Sequence, residues 1–184
     1  MKLPKYLRSN RQDNNKTRKL TTVLFVIYVI ALFWILLFKL GVQFSYMEDR
    51  SVNLIPFRQA FSNGRIDVVE ILLNVVIFVP LGMYAGVLFK RWNFGNNLFF
   101  FFLTSLLFEA LQFVLRVGAF DVTDSIANTL GGLIGLIIFQ TIEKLFNDSA
   151  KAQKFINIVA ATATVLMISL LLLLKMNMLP VRYQ

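Results

Sequence analysis

Five stretches of the chain are apolar over about the length that a helix needs to cross a lipid bilayer. A transmembrane helix takes roughly 20 residues to span a hydrocarbon core about 30 Å thick. The alternation typical of membrane β-barrels is absent, so we expect helices. The predicted spans are Thr21 to Leu40, Val69 to Phe89, Leu98 to Val117, Thr123 to Ile142 and Phe155 to Leu174. This pattern predicts an all-α, polytopic transmembrane helical bundle of about five spans.

Composition and charge support a membrane protein. Of the residues, 57% are hydrophobic, mean hydropathy is +0.66 and 19 residues are Phe. The net charge of +9 comes from Lys and Arg at the ends of the apolar stretches. Membrane topology explains such a distribution better than a nucleic-acid partner does, so no nucleic acid is expected. The first apolar stretch has no small-residue cleavage site, which indicates a retained anchor and not a signal peptide.

The distribution of Lys and Arg predicts the orientation. Residues 1–20 carry seven of them, which places the N-terminus in the cytoplasm, and alternation of the spans then puts 12 of the 19 on the cytoplasmic side. We therefore expect a multi-pass protein of the cytoplasmic membrane. Its connections would be a disordered basic cytoplasmic tail at 1–20, an extracellular loop at 41–68, a cytoplasmic loop at 143–154 and a short extracellular tail at 175–184.

Seven polar side chains interrupt the apolar stretches. Such groups are costly in a bilayer and usually face protein or a wet cavity, so they indicate function. In the third span three of them follow a three-then-four spacing that keeps them on one helix face, and three more share a face after the next turn. A hydrophilic pocket open to the outside follows as a hypothesis. The seven residues are Asn74, Glu109, Gln112, Arg116, Asp121, Asp124 and Asn128.

Structural explanations for these residues stay open. Asp121 and Asp124 could be a helix N-cap and an acid in the first turn, which the helix dipole favours. Glu109 and Arg116 could form an internal ion pair, while Gln112 and Asn128 join helices by hydrogen bonds. The pair Gly131 and Gly135 predicts close helix packing, within one chain or between copies in a homo-oligomer. The run Phe99 to Phe102 is expected to face lipid.

The residue types limit the chemistry. The chain contains neither cysteine nor histidine. Disulfides and thiolate chemistry are therefore excluded, and so are the commonest general base and metal ligand. Asp121 and Asp124 could still hold Mg²⁺, with Glu109 as a general base, in an enzyme acting on a lipid-linked phosphate. We expect no cofactor and no resident metal, and whether the protein is an enzyme stays uncertain.

Four motifs follow one another along the chain: NLIPF at 53–57, NVVIFVPLG at 74–82, EALQ at 109–112, and FDVTD at 120–124 with NTLGG at 128–132. In order and spacing they resemble the VanZ-like membrane family, from about residue 53 to 139. The resemblance implies a three-helix family core within residues 69–142 of a small bacterial membrane protein, whose founding relatives confer low-level resistance to teicoplanin and related lipoglycopeptides. It implies no particular catalytic residue. The motif positions are Asn53, Pro56, Asn74, Pro80, Gly82, Glu109, Gln112, Arg116, Asp121, Asp124, Asn128, Gly131 and Gly132.

Two classes of function fit these residues. In the first, the pocket binds a membrane lipid, a cell-wall precursor or a lipoglycopeptide, and thereby contributes to glycopeptide resistance. Arg58 and Arg116 would meet phosphate or carboxylate groups. Hydrogen bonds would come from Asn74, Glu109, Gln112 and Asn128, with Asp124 in the same pocket and Asn53, Arg58 and Asp121 in secondary positions. The alternative is the intramembrane enzyme described above, or a small transporter.

Overall fold

The protein is a bundle of long helices. The computed structural model describes residues 5–38, 52–56, 68–115 and 120–175. Within these ranges, four helices are long and apolar enough to cross a membrane. The elements are α1 (Lys5–Phe38), β1 (Val52–Asn53), α2 (Val68–Leu88), α3 (Phe94–Leu115), β2 (Phe120–Asp121), α4 (Val122–Phe146) and α5 (Ser149–Lys175). The predicted all-α bundle is confirmed, while the orientation of its N-terminus stays a prediction.

The first helix is longer than predicted. A disordered tail was expected over residues 1–20, but α1 begins at Lys5 and continues through this region. No Gly or Pro interrupts the helix here, and the α5 side chains Gln153 and Asn157 hold it. Asn157 Nδ2 donates to Thr17 O at 3.1 Å, and Gln153 Nε2 donates to Thr21 Oγ1 at 2.7 Å. The expectation of a disordered tail is therefore wrong from Lys5 onward.

The turns between α2 and α5 are set by polar caps. Asn93, Asp121 and Asp148 each accept a hydrogen bond at 2.7 to 2.8 Å from a backbone N–H two or three residues later. These bonds satisfy donors that the first turn of a helix leaves unpaired. Helix α4 ends at Asn147, whose φ of 47° is a left-handed conformation that Asn tolerates. The caps therefore fix where α3, α4 and α5 begin.

The core lies where α1, α2, α3 and α4 meet, and the outer surface is also apolar. Ile30, Phe99 and Val114 are more than 60% exposed. A contiguous apolar surface of this kind needs lipid or protein to cover it. The buried residues of this core cluster are Leu32, Leu36, Phe78, Leu81, Ala85, Phe101, Phe108 and Leu136.

Close packing of α2 against α4 depends on glycines. A Cβ placed on Gly131 would overlap the carbonyl oxygen of Val75, and one on Gly135 would overlap that of Val79. On α2, a Cβ placed on Gly82 would likewise overlap the carbonyl oxygen of Gly132 on α4. Backbones can approach this closely only where no side chain intervenes. The predicted glycine pair therefore packs within the chain.

The phenylalanine run divides between core and surface. Phe99 and Phe102 are 65% and 46% exposed, as a lipid-facing run predicts. Phe101 is fully buried, and its ring lies against the Cα of Gly132 on α4. Consecutive helical residues differ by about 100° in direction, so four in a row cannot all face outward. The lipid-facing expectation is wrong for Phe101.

A tyrosine of α1 supports the irregular part of α2. Pro80 lies inside α2 and has no N–H to bond the carbonyl of Val76. The hydroxyl of Tyr28 donates to the next carbonyl, Ile77 O, at 2.7 Å. Tyr28 therefore ties α1 to α2 at the turn that the proline disturbs.

We expect Tyr28→Phe to lower the unfolding temperature in detergent. The substitution removes only this hydrogen bond, and such bonds in membrane proteins contribute about 0.6 to 1.7 kcal/mol. Tyr84→Phe is the matched control, since Tyr84 packs against the ring of Tyr28. Equal shifts for the two variants in a thermal unfolding assay would contradict the assigned role of the Tyr28 hydroxyl.

Candidate functional site

Buried polar groups join α3 to α4 in two steps. Asn128 Nδ2 donates to Ser105 Oγ at 3.0 Å, and the backbone N–H of Asp121 donates to Glu109 Oε2 at 3.0 Å. Ser125 lies between these steps on α4 and is also buried. The polar ladder is defined here as Ser105, Glu109, Asp121, Ser125 and Asn128. The polar faces of the two antiparallel helices thus meet, as their spacing predicted.

One end of the ladder is closed by two short strands. β1 and β2 pair in parallel, with Asn53 opposite Asp121. Asn53 Nδ2 donates to Asp121 Oδ2 at 3.0 Å, while Asp121 Oδ1 accepts the N–H of Thr123 as the N-cap of α4. Both carboxylate oxygens of Asp121 therefore bond within the chain. The described residues contain no cluster of three or more His, Cys, Asp or Glu side chains able to hold a metal ion.

The side chain of Glu109 on α3 is deeply buried, and its carboxyl group lies at the start of the neighbouring helix α4. It is only 2% exposed. Its acceptor bond to the Asp121 N–H places the carboxyl group at the N-terminal end of α4. The dipole of a helix and its unpaired N–H groups favour negative charge at that end. The position of Glu109 therefore offsets part of the cost of burying a carboxylate.

Three buried oxygen atoms around the ladder have no hydrogen-bond partner among the residues that the structure describes. They are Asn53 Oδ1, Ser125 Oγ and Asn128 Oδ1. Buried polar atoms are rarely left unpaired, because each unpaired group costs free energy. The two amide oxygens can act only as acceptors, and the hydroxyl can accept or donate. The site is therefore suited to a group that donates hydrogen bonds.

Gln112 has a structural partner. Its Nε2 donates to Leu36 O at 2.7 Å, in the last turn of α1. The last four carbonyls of a helix have no partner within the helix. Gln112 satisfies one of them and fastens α1 to α3, which fits the helix-joining explanation given above.

We expect Gln112→Leu to destabilise the bundle by about 1 kcal/mol, because the buried Leu36 carbonyl loses its donor. Thermal unfolding in detergent measures the loss. Leu111→Met keeps an apolar side chain of similar size on the exposed side of α3, so this control should change stability less. A Gln112→Leu protein as stable as the parent would contradict the capping role.

The remaining predicted site residues are Asn74, Asp124, Arg58 and Arg116. Asn74 is half-buried on α2, and no hydrogen bond links its side chain to the described ladder residues. Asp124 is half-buried in the first turn of α4, where the helix dipole favours an acid. Arg58 and Arg116 lie outside the described residues, so the predicted pairing of Glu109 with Arg116 stays a prediction.

Two ladder residues were missed from the sequence. Ser105 precedes Glu109 by four positions, and Ser125 follows Asp121 by four, so both lie on the polar faces already identified. A single serine in an apolar helix is a weak signal because its hydroxyl can bond the backbone four residues earlier. Helical spacing from Glu109 and Asp121 could have found both.

Comparison with known proteins places the chain in a family. The family model described as VanZ/LLP1 matches residues 25–147. The chain is 36% identical over 159 residues to Protein VanZ of Enterococcus faecium. The aligned region covers 84% of this chain and 92% of that protein. The chain belongs to the VanZ/LLP1 family. The match includes the polar ladder and the α2–α4 glycines, and together with the four apolar helices it makes this VanZ/LLP1 member a multi-pass membrane protein. No solved structure matches it.

Proposed function

We propose that the protein contributes to glycopeptide resistance in the cytoplasmic membrane of a bacterium. It would do so by binding a ligand in an outward-facing pocket built on the polar ladder. The relationship to Protein VanZ over nearly its whole length supports the functional class. The proposed ligand is either a component of the cell envelope, such as a lipid headgroup or a cell-wall precursor, or a lipoglycopeptide antibiotic.

The observation that carries the proposal is the row of unpaired oxygens beside a buried acid. A purely structural ladder would have its polar atoms paired, as Asp121 does through both carboxylate oxygens. Asn128 uses its amide N–H on Ser105 but leaves its oxygen unpaired, although the residue is 1% exposed. Bonds to these oxygens become available when a ligand brings its own donors.

The chemistry of the ladder favours ligands rich in N–H and O–H groups. Asn53 Oδ1, Asn128 Oδ1 and the Glu109 carboxyl group can all act as hydrogen-bond acceptors. Hydrogen bonds formed at a site of low dielectric constant are stronger than those formed in water. Peptide amides, sugar hydroxyls and ammonium groups all supply such donors. Glycopeptides and cell-wall precursors carry amides and hydroxyls together, which suits this set of acceptors.

Expression in a susceptible Gram-positive host tests the proposal. We expect the inhibitory concentration of teicoplanin to rise, and to rise more than that of vancomycin, relative to cells carrying an empty vector. Protein present in the membrane with no change in either threshold would contradict a resistance function. An equal rise for both drugs would contradict a preference for the lipidated compound.

A further inference from the structure

A polar cavity lies at the end of the bundle opposite the polar ladder. It has a volume of about 300 Å³ and is formed by the end of α2, the start of α3 and the last turns of α4. Its lining includes Phe89, Lys90, Trp92, Asn97, Gln140 and Glu143. Glu109 lies 12 residues further along α3 than Asn97, which corresponds to about 18 Å along a helix. The cavity is therefore separate from the polar ladder.

The cavity presents both signs of charge. Lys90 Nζ lies 3.7 Å from Glu143 Oε1, which is an ion pair but too long for a hydrogen bond. The same Glu143 oxygen accepts a hydrogen bond from Ser149 Oγ. An ammonium group has three donors, so Lys90 can bond an acidic ligand while remaining near Glu143. The site can thus hold an anion beside Lys90 and a cation beside Glu143.

Asn97 adds a hydrogen-bond acceptor. Its side chain is 4% exposed, and its Nδ2 donates to Asn93 O at 2.9 Å. Its Oδ1 is buried and has no hydrogen-bond partner within the described part of the chain. A buried amide oxygen without a donor is costly. The cavity therefore favours a ligand that carries an N–H or O–H group.

Aromatic rings place the cavity at the level of lipid headgroups. Phe89 and Trp92 stack with ring centroids 4.2 Å apart, and Phe100 meets Trp92 edge to face at 5.5 Å. Tryptophan is enriched where the hydrocarbon meets water. Lys90 and Arg91 are exposed in the same turn. A ligand there can keep its acyl chains in the bilayer and its polar head in the cavity.

We infer that this cavity binds the headgroup of a phospholipid that carries a primary amine. The phosphate lies at Lys90, and the ammonium group donates to Glu143 and to Asn97 Oδ1. The inference goes beyond the proposed function, since it concerns a different site at the opposite end of the bundle. A choline headgroup would meet the same aromatic rings but has no N–H to donate. Selectivity for the primary amine is therefore the specific consequence.

Fluorescence of Trp92 can report lipid contact at the cavity. The chain has two tryptophans, so Trp34→Phe leaves Trp92 as the single one. The protein is placed in phosphatidylcholine vesicles with an equal fraction of one brominated lipid, whose bromines quench tryptophan. We expect brominated phosphatidylethanolamine to quench about fivefold more effectively than brominated phosphatidylcholine, the effect of about one net hydrogen bond.

Two variants and a control identify the residues involved. Lys90→Gln and Asn97→Leu should bring quenching by brominated phosphatidylethanolamine down to the phosphatidylcholine level. Lys144→Gln removes the same charge from an exposed position next to Glu143 and should keep the preference. Circular dichroism and gel filtration check that each variant folds. Lys90 is exposed and Asn97 is buried, so Lys90→Gln should disturb folding less than Asn97→Leu. Loss of the preference in Lys144→Gln, or its retention in a folded Lys90→Gln protein, would overturn the assignment.

The choice of lipid supplies the other contradicting outcomes. Equal quenching by brominated phosphatidylcholine would mean that the aromatic surroundings alone attract lipid. Stronger quenching by brominated phosphatidylglycerol would mean that the basic turn attracts anionic lipid without reading the amine. A saturable change of Trp92 emission with free phosphoethanolamine, without preference among the lipids, would indicate a soluble phosphate ester instead. Each of these results overturns the inference.

Discussion

Replacing Gly135 by alanine should remove most of the folded protein. A Cβ at this position overlaps the carbonyl oxygen of Val79 and comes within 2.8 to 3.0 Å of other α2 backbone atoms. Backbone cannot move aside as a flexible side chain can, so α2 and α4 must separate. Overpacking of this kind costs about 1 to 3 kcal/mol and sometimes more. The loss also affects the site, because α4 carries Ser125 and Asn128 of the polar ladder.

Gly95→Ala is the matched control for this prediction. Gly95 lies in the first turn of α3, where a Cβ would meet only the Asn93 side chain, at 3.5 Å. Alanine there should leave stability unchanged or raise it, because alanine favours helix by up to about 1 kcal/mol. The yield of monodisperse protein after detergent extraction and the unfolding temperature measure both variants. Similar behaviour of Gly135→Ala and Gly95→Ala would contradict the close α2–α4 packing.

Glu109→Leu should destabilise the protein strongly, while Glu109→Gln should not. Leucine removes the acceptor for the buried Asp121 N–H, and an unpaired buried donor costs about 1 to 3 kcal/mol. Glutamine keeps one oxygen that can accept the same bond, but it removes the charge and replaces the second oxygen with an amide N–H donor. Comparing the two variants therefore separates the hydrogen bond from the charge of Glu109.

Membrane levels and unfolding temperatures in detergent measure this difference. Ala110→Leu, on the exposed face of α3 beside Glu109, controls for adding a leucine to this turn. We expect wild type, Glu109→Gln and Ala110→Leu to reach similar membrane levels, and Glu109→Leu to fall well below them. If Glu109→Gln is lost from the membrane as fully as Glu109→Leu, the prediction is contradicted, and the charge of Glu109 is needed for folding.

The spacing of residues predicted the faces that meet but not all of their partners. Helical period alone places Glu109 on one face of α3, and Asp121 and Asn128 on one face of α4, and the short turn makes these helices neighbours. The glycine spacing predicted close packing because a missing side chain is visible in sequence. Both inferences depend only on the spacing of residues along a helix, which can be read from the sequence.

Partners that are distant along the chain could not be predicted in this way. Gln112 bonds Leu36, 76 residues away, and Asn53 bonds Asp121, 68 residues away. These pairs depend on where α1 and β1 pack against the other elements. The periodicity of the sequence does not determine that packing. The burial of Phe101 likewise depends on the space left by Gly132 on the facing helix. The polar faces could therefore be predicted from helical spacing, whereas the partner of each polar residue depends on tertiary packing.

We propose that the charge of Glu109 in the polar ladder serves ligand binding. The most direct test is the teicoplanin threshold of a susceptible host expressing Glu109→Gln at the same membrane level as wild type. We predict that the threshold falls to that of cells with an empty vector, because the fold is retained and the charge is lost. A threshold equal to that of wild type, at matched levels, would contradict the claim.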